Sequence, residues 1–291
     1  MGIWDDDECL LSALDADLSG DAQQKDEKML KLQLLISTME NSPSSLFARM
    51  NVRNEALVVN QCDKYGATKG EIAGIGYIWL DCGERGVGLS RNTALNRAQG
   101  DIVLFCDDDC CYVDNLEEVI LGAFEKNPDA DLLLFNLRQT GNGERAKLDI
   151  AENKRVTGLS YMRYGIARCA ARRSALEKKT ISFSTLFGGG SRYSCGEDVV
   201  FFHDCLKSGL RIYTCTDCIG TVDFSKSSWF KGYTEKYYYD RGALHAAVGG
   251  MLHPAISLRH ALKTRDVQKE IRLSGAMSAM LRGAKEFLKS N

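Results

Sequence analysis

The sequence predicts an α/β fold on a mostly parallel, doubly wound sheet, with a helical extension after it. Three observations predict this. Short apolar runs recur through the first half of the chain. Segments of helical composition alternate with them, as in βαβ units. Polar or acidic residues follow several runs directly, at the strand ends where open sheets of this kind hold ligands.

Leu32 to Ser37 is the first strand candidate, and Ser42-Pro43 marks a turn after it. Ala56 to Val59 is the second, ending in Asn60-Gln61-Cys62-Asp63. Ile75 to Leu80 is a third, shorter strand. Leu89 to Ala98 has helical composition, with Ser90 as its cap. A strand starts at Ile102, and Leu116 to Glu125 places Leu116, Val119, Ile120 and Phe124 on one helical face. Leu132 to Leu137 is a further apolar strand. Beyond it, Tyr161 to Lys179 is expected to hold a helix. Phe187 to Cys195, with Gly188-Gly189-Gly190, reads as a mobile loop. Gly196 opens an amphipathic helix with Val199, Val200, Phe202 and Leu206 at helical spacing. Arg211 to Thr214 is a short strand, and Ala243 onward is helical.

These elements divide the chain into an acidic lead-in (residues 1–30), an α/β domain (31–225, with halves 31–140 and 141–225) and a basic, mainly helical extension (226–291). The formal charge of −2 conceals this polarity. A basic tail suits contact with anions, phospholipid included, and solvated helix faces explain it as well. Nucleic acid is not an expected partner. The N-terminus lacks the basic start and apolar core of a signal peptide, and no run approaches the length that spans a bilayer. With eleven cysteines, the expectation is reduced thiols in a cytoplasm, with the basic tail at the inner face of the membrane.

Asp107, Asp108 and Asp109 follow the Ile102 strand without a break. Adjacent carboxylates repel, and a hard divalent cation removes the repulsion. Two of them on Mg²⁺ or Mn²⁺ leave coordination positions for a diphosphate. A solvated acidic turn fits the same pattern. Asp63 also falls at a strand end. Glu197 and Asp198 open a helix, where acids suit the dipole and can equally serve chemistry.

Gly88–Leu95 (Gly-Leu-Ser-Arg-Asn-Thr-Ala-Leu), Ala98–Asp109 and Gly196-Glu197-Asp198, in that order, resemble family 2 glycosyltransferases of the GT-A fold. The resemblance spans about residues 31 to 240. The segment from Ser227 to Tyr233 is similar to members that build bacterial surface polysaccharides. The resemblance implies a nucleoside diphosphosugar donor, UDP-linked by habit of the family, a glycan or lipid-linked acceptor, and inverting transfer. It implies that Asp109 and Asp107 hold the metal, and that Asp63, Arg91, Asp107 and Asp108 line the nucleotide sugar. Asp198 matches the catalytic base, with Glu197 beside it near the acceptor. The chain departs from the family after the first strand, where Ser37-Thr-Met-Glu-Asn replaces Pro-Thr-Tyr-Asn, so no nucleotide contact is assigned to Glu40 or Asn41. Asp223, beside Thr221-Val222, is not counted in the site.

Rival readings are a nucleotidyltransferase and a catalytically inactive glycan-binding protein on the same fold. The first lacks a glycine-rich basic signature early in the chain; intact carboxylates argue against the second. A dinucleotide fingerprint at Gly74-Ile-Gly76 fails, because Trp79 stands where the third glycine belongs. Cys215-Thr-Asp-Cys218 has no second pair to complete a zinc site. Oligomeric state is left open.

Overall fold

The computed structural model describes residues 29–40, 42–140, 150–223, 232–265 and 271–290. The acidic lead-in lies almost wholly outside them, as do Asn41 and the Ser227–Lys231 part of the polysaccharide-like segment. The chain divides into two units at Leu30 and Lys31, and every described strand and helix lies in the second.

In chain order the elements are β1 (Leu32–Thr38), α1 (Pro43–Met50), β2 (Ala56–Gln61), β3 (Gly66–Ile72), β4 (Ile75–Cys82), α2 (Val87–Leu95), β5 (Ile102–Asp107), β6 (Cys110–Tyr112), α3 (Leu116–Lys126) and β7 (Leu132–Thr140). Then follow β8 (Cys169–Arg172), α4 (Arg173–Lys178), α5 (Glu197–Lys207), β9 (Ile212–Asp223), α6 (Glu235–Gly249), α7 (His253–Thr264) and α8 (Leu273–Ser290). The nine strands make one sheet in the order β3-β4-β2-β1-β5-β8-β7-β9-β6.

The four strands β4-β2-β1-β5 are mutually parallel. Every residue of β1 is buried, as are the apolar residues of β2 and β5. Such unbroken apolar runs are what a sheet covered on both faces requires. Parallel pairing also aligns the polar strand ends. Ser37 pairs with Asp107, Thr38 with Asn60, and Asn60 with Asp81. One edge of the sheet therefore carries Asp81, Asn60, Thr38, Ser37 and Asp107 side by side.

Past β5 the sheet becomes mixed, because β8 runs antiparallel to both β5 and β7 and β6 runs antiparallel to β9. The segment expected as a helix from Tyr161 instead makes two 3-10 turns, then β8, and only the short α4. Tertiary partners override helical propensity there. Cys169, Ala170 and Ala171 are small enough to lie fully buried between two strands. Arg172 donates to the Ala130 carbonyl and covers the Phe124 ring. β9 is longer than expected and runs through Cys215 and Cys218. Their thiols donate to Asp217 and to the Gly220 carbonyl. All ten described cysteines are free.

The edge strand β3 escapes a hydrophobicity reading, since Thr-Lys-Gly-Glu contains no apolar run. It pairs antiparallel with β4 through a two-residue turn at Ala73-Gly74, both at positive φ, as tight hairpins demand. α2 begins at Val87, not near Ser90, and its cap is Gly86 at φ 137°. Ser90 lies inside the helix and hydrogen-bonds Ser37 at 3.0 Å in the interior.

The helical extension is packed onto the domain. α6 and α8 approach so closely that a Cβ on Gly242 would sit 1.9 Å from the Met280 carbonyl oxygen, and one on Gly283 1.9 Å from that of Tyr239. Both obstacles are backbone, so they cannot swing aside. Gly242→Ala is expected to cost about 2–3 kcal/mol of stability through overpacking. Gly122→Ala, in α3 with open space around it, should gain about 0.5–1 kcal/mol. Urea denaturation of both variants beside the wild type checks the contrast.

Candidate active site

The acidic tip of β5 and the start of α5 come together through one arginine. Arg91, on α2, donates from Nη2 to Asp107 Oδ1 at 2.6 Å and from Nη1 to Glu197 Oε1 at 2.9 Å. Its side chain is 4% exposed. α2 can reach both partners because Gly88 lets it press on the next layer, where a Cβ would lie 2.4 Å from the Ser184 carbonyl oxygen. α5 is held against β5 by aromatic packing: Phe105 meets Phe183 and Phe201 edge-on, and those two rings stack at 4.2 Å. Arg91 also lies over Phe183. Burial alone opposes the guanidinium charge, but Asp107 and then Glu197 hold it firmly protonated.

The two carboxylates that open α5 are set apart by this pairing. Glu197 is paired with Arg91. Asp198, its neighbour, is partly accessible, and its Oδ1 accepts from the Val199 N–H at 2.7 Å. Burial, then the charge of Glu197, push the Asp198 carboxyl up to about 7, against the pull of that N–H, Arg91 and Arg241. Neighbouring carboxyls with separated affinities for a proton are what acid–base chemistry near neutral pH uses.

The three acids of the tip point to different partners. Asp107 takes Arg91. Asp108 accepts from the Thr38 hydroxyl at 2.6 Å, and its carbonyl accepts from Arg49 Nε. Asp109 is driven up to about 6 by burial, then by the charges of Asp107 and Asp108. Among the described residues no three metal-ligating side chains converge. Asp63 stands outside this cluster, 95% exposed and paired with Arg85 at 2.9 Å. Arg85 also donates to the Gln61 carbonyl. Arg91, buried with both terminal nitrogens taken, supports the acids on either side and does not offer its charge to an open surface.

Sequence reading missed several neighbours of the site. Asp223 is one: its N–H donates to the Asp109 carbonyl, so the end of β9 lies against the acidic tip. Arg241 on α6 acts electrostatically on Asp198 and bonds Tyr237, with its Nε buried and unpartnered. Thr38 and Asn60 are others; no motif marks any of the four, and the parallel register aligns these last two. Partial burial would raise Asp81, but hydrogen bonds from Asn60, Trp79 and Lys64 prevail and hold it at about 2. The loop from Phe187 to Cys195 is pinned. Gly189 accepts from the Val87 N–H, Phe187 stacks on Tyr193, and Ser194 donates twice to the fully buried Asp240 of α6. A separate cavity lined by Val156, Tyr161, His203 and Leu206 contains none of the carboxylates.

Residues 53–181 match the family model described as Glycosyl transferase family 2. Over that segment the chain is similar to family 2 glycosyltransferases. The match includes Asp63, Arg91 and the β5 tip and stops short of Glu197. S. aureus TarS 1–349 in complex with UDP-GlcNAc is similar over 90% of this chain and 81% of that one, at TM-score 0.59 and 16% identity. The same protein in complex with UDP is similar over 90% and 83%, at TM-score 0.57 and 16% identity. Identity at this level shows the fold, and the fold is GT-A: a mixed sheet flanked by helices, with helices after it. No curated protein matches the sequence. In this glycosyltransferase fold, Glu197 and Asp198 come from outside the recognised segment and reach its acids through Arg91.

Asp198 has a signature in stability. A carboxyl raised from about 3.8 to about 7 on folding favours the folded state while neutral. That contribution is full below about pH 4 and is lost as pH rises through 7. Asp198→Asn, which removes the partly buried charge, is expected to raise Tm relative to the wild type at pH 8 and to differ little at pH 4.5. Arg91→Met strands two carboxylates and should cost about 3 kcal/mol at pH 7. Thermal melts across pH and urea titrations test the two expectations.

Proposed function

We propose that the chain is an inverting, metal-dependent glycosyltransferase. It moves a sugar from a nucleoside diphosphosugar, UDP-linked, to a hydroxyl of a glycan or lipid-linked acceptor. The observation that carries this reading is the Arg91 bridge, which unites the Asp107 end of the parallel sheet with the Glu197-Asp198 pair. The family match and the likeness to a protein solved with UDP-GlcNAc support the donor class.

Transfer breaks the bond between sugar C1 and a diphosphate while an acceptor hydroxyl loses a proton. In this reading Asp198 takes that proton as general base. Its affinity for a proton, raised to about 7, makes it a stronger base than an ordinary carboxylate. Burial, and then the charge of the Glu197 carboxylate held by Arg91, keep Asp198 basic. A single base suffices for attack from the face opposite the leaving group, which inverts the anomeric centre. Asp109 and Asp107 are the residues to hold Mg²⁺ or Mn²⁺. The donor set fits, since two carboxylates leave the remaining positions for phosphate and water, and Asp109 is a carboxylate crowded by like charge. A metal bound there supplies charge neutralisation for the departing diphosphate. Asp63, after β2, and Asp108, after β5, are assigned to the nucleotide sugar. The reaction belongs to the cytoplasm, at the inner face of a membrane, where a soluble donor meets a membrane-held acceptor. None of the described helices is long and apolar enough to cross that membrane.

Release of nucleoside diphosphate from a panel of nucleotide sugars, with Mn²⁺ and with EDTA, tests the reading. Metal-dependent release from one donor is expected; release from none would favour a glycan-binding protein without activity. Asp198→Asn should lower kcat about 10²- to 10⁴-fold while leaving donor affinity intact. Asp109→Asn should weaken both. Because the base acts ionised, kcat/KM should rise with pH and level off above about 7.

A further inference from the structure

The start of α7 carries large apolar side chains on the side turned away from the fold. Met251 is 96% exposed and Leu252 70%, on the 3-10 turn that leads into the helix. Leu258 and Leu262 follow at 45% and 48% exposure. Exposed Ala255 fills the interval between them. Positions 251, 255, 258 and 262 fall on one helical stripe. Ser257, Ala261 and Thr264 occupy the opposite face, buried against the domain. The stripe is therefore additional to the apolar surface that folds the protein. Water-exposed apolar stripes of this kind mark interaction surfaces.

Charge tells what covers it. Residues 250–265 include Arg259, Lys263 and Arg265, all exposed, and no Asp or Glu. Arg259 and Lys263 run along one flank of the stripe, a quarter turn or so away, and Arg265 ends the helix. No described salt bridge engages any of the three. We propose that this outer face of α7, with the Met251-Leu252 turn, is a docking surface for an anionic lipid bilayer. The helix lies in the plane of the interface, the apolar stripe enters the acyl boundary, and the basic flank meets headgroup phosphates. Ile256 takes no part, because it packs toward Gly249. The proposal locates the membrane contact on particular side chains and stands independently of sugar transfer, since none of these residues belongs to the carboxylate site.

The test is flotation of the full chain with vesicles of phosphatidylcholine alone and of an equal mixture with phosphatidylglycerol. The wild type should float with the anionic vesicles and lose binding as salt rises. Met251→Ser/Leu252→Ser/Leu258→Ser/Leu262→Ser should lower partitioning at least about tenfold, with an unchanged thermal melt. Arg259→Gln/Lys263→Gln should weaken binding and flatten its salt dependence. A wild type that floats with neither vesicle, or an apolar variant that floats equally well, overturns the proposal. So does a dimer, seen by gel filtration, that the apolar variant dissociates while neither protein binds vesicles, because a second copy then covers the stripe. Nucleoside diphosphate release, measured on the same variant, separates failure here from failure of the transferase reading.

Discussion

A buried guanidinium with a carboxylate on each side is the constraint from which the rest of the site follows. Charge of either sign is costly away from water, and a partner makes the burial tolerable. Arg91 fixes three elements at once, because α2, the end of β5 and the first turn of α5 must all lie within hydrogen-bond reach of one planar group. A lysine could not reproduce this, having a single charged atom in place of a fork. The aromatic layer of Phe105, Phe183 and Phe201 supplies the apolar half of the same joint.

The division of labour between Glu197 and Asp198 also originates there. Two adjacent acids on a helix start would share the dipole about equally. One is paired with Arg91, while burial and then the neighbouring carboxylate raise the proton affinity of the other. The parallel register contributes the second half of the pattern. It brings residues from four separate strands to one edge, where Asn60 and Thr38 hold Asp81 and Asp108 in fixed directions.

The parallel part of the fold was legible in the sequence chiefly because β1, β2 and β5 are buried on both faces and so read as continuous apolar runs. β1, β2, β4 and β5 begin at or next to the residues that hydrophobicity marks. β3 and β8 were not legible: one is a polar edge and the other a run of three small residues whose strand state depends on its neighbours. Asp107 and Glu197 were identifiable as acids at element ends, but their meeting through Arg91 is a long-range fact that no local pattern contains. Arg241 was invisible for the same reason. It stands among aromatic and basic residues on a helix, with nothing nearby in sequence to tie it to Asp198.

Gly196 shows what the C-terminal helices mean for the pair that follows it. Its backbone is left-handed at φ 107°, and a Cβ there would strike Leu244 of α6 at 2.7 Å. The turn that launches Glu197 and Asp198 is thus wedged beneath α6, while Asp240, one helical turn earlier, grips Ser194 from the other side. α6 in turn is locked to α8 by glycine-to-backbone contact. The first turn of α5 thus takes its position from the helical pair, through Leu244 above Gly196 and Asp240 on Ser194. The extension is therefore part of the wall against which the carboxylates are aligned.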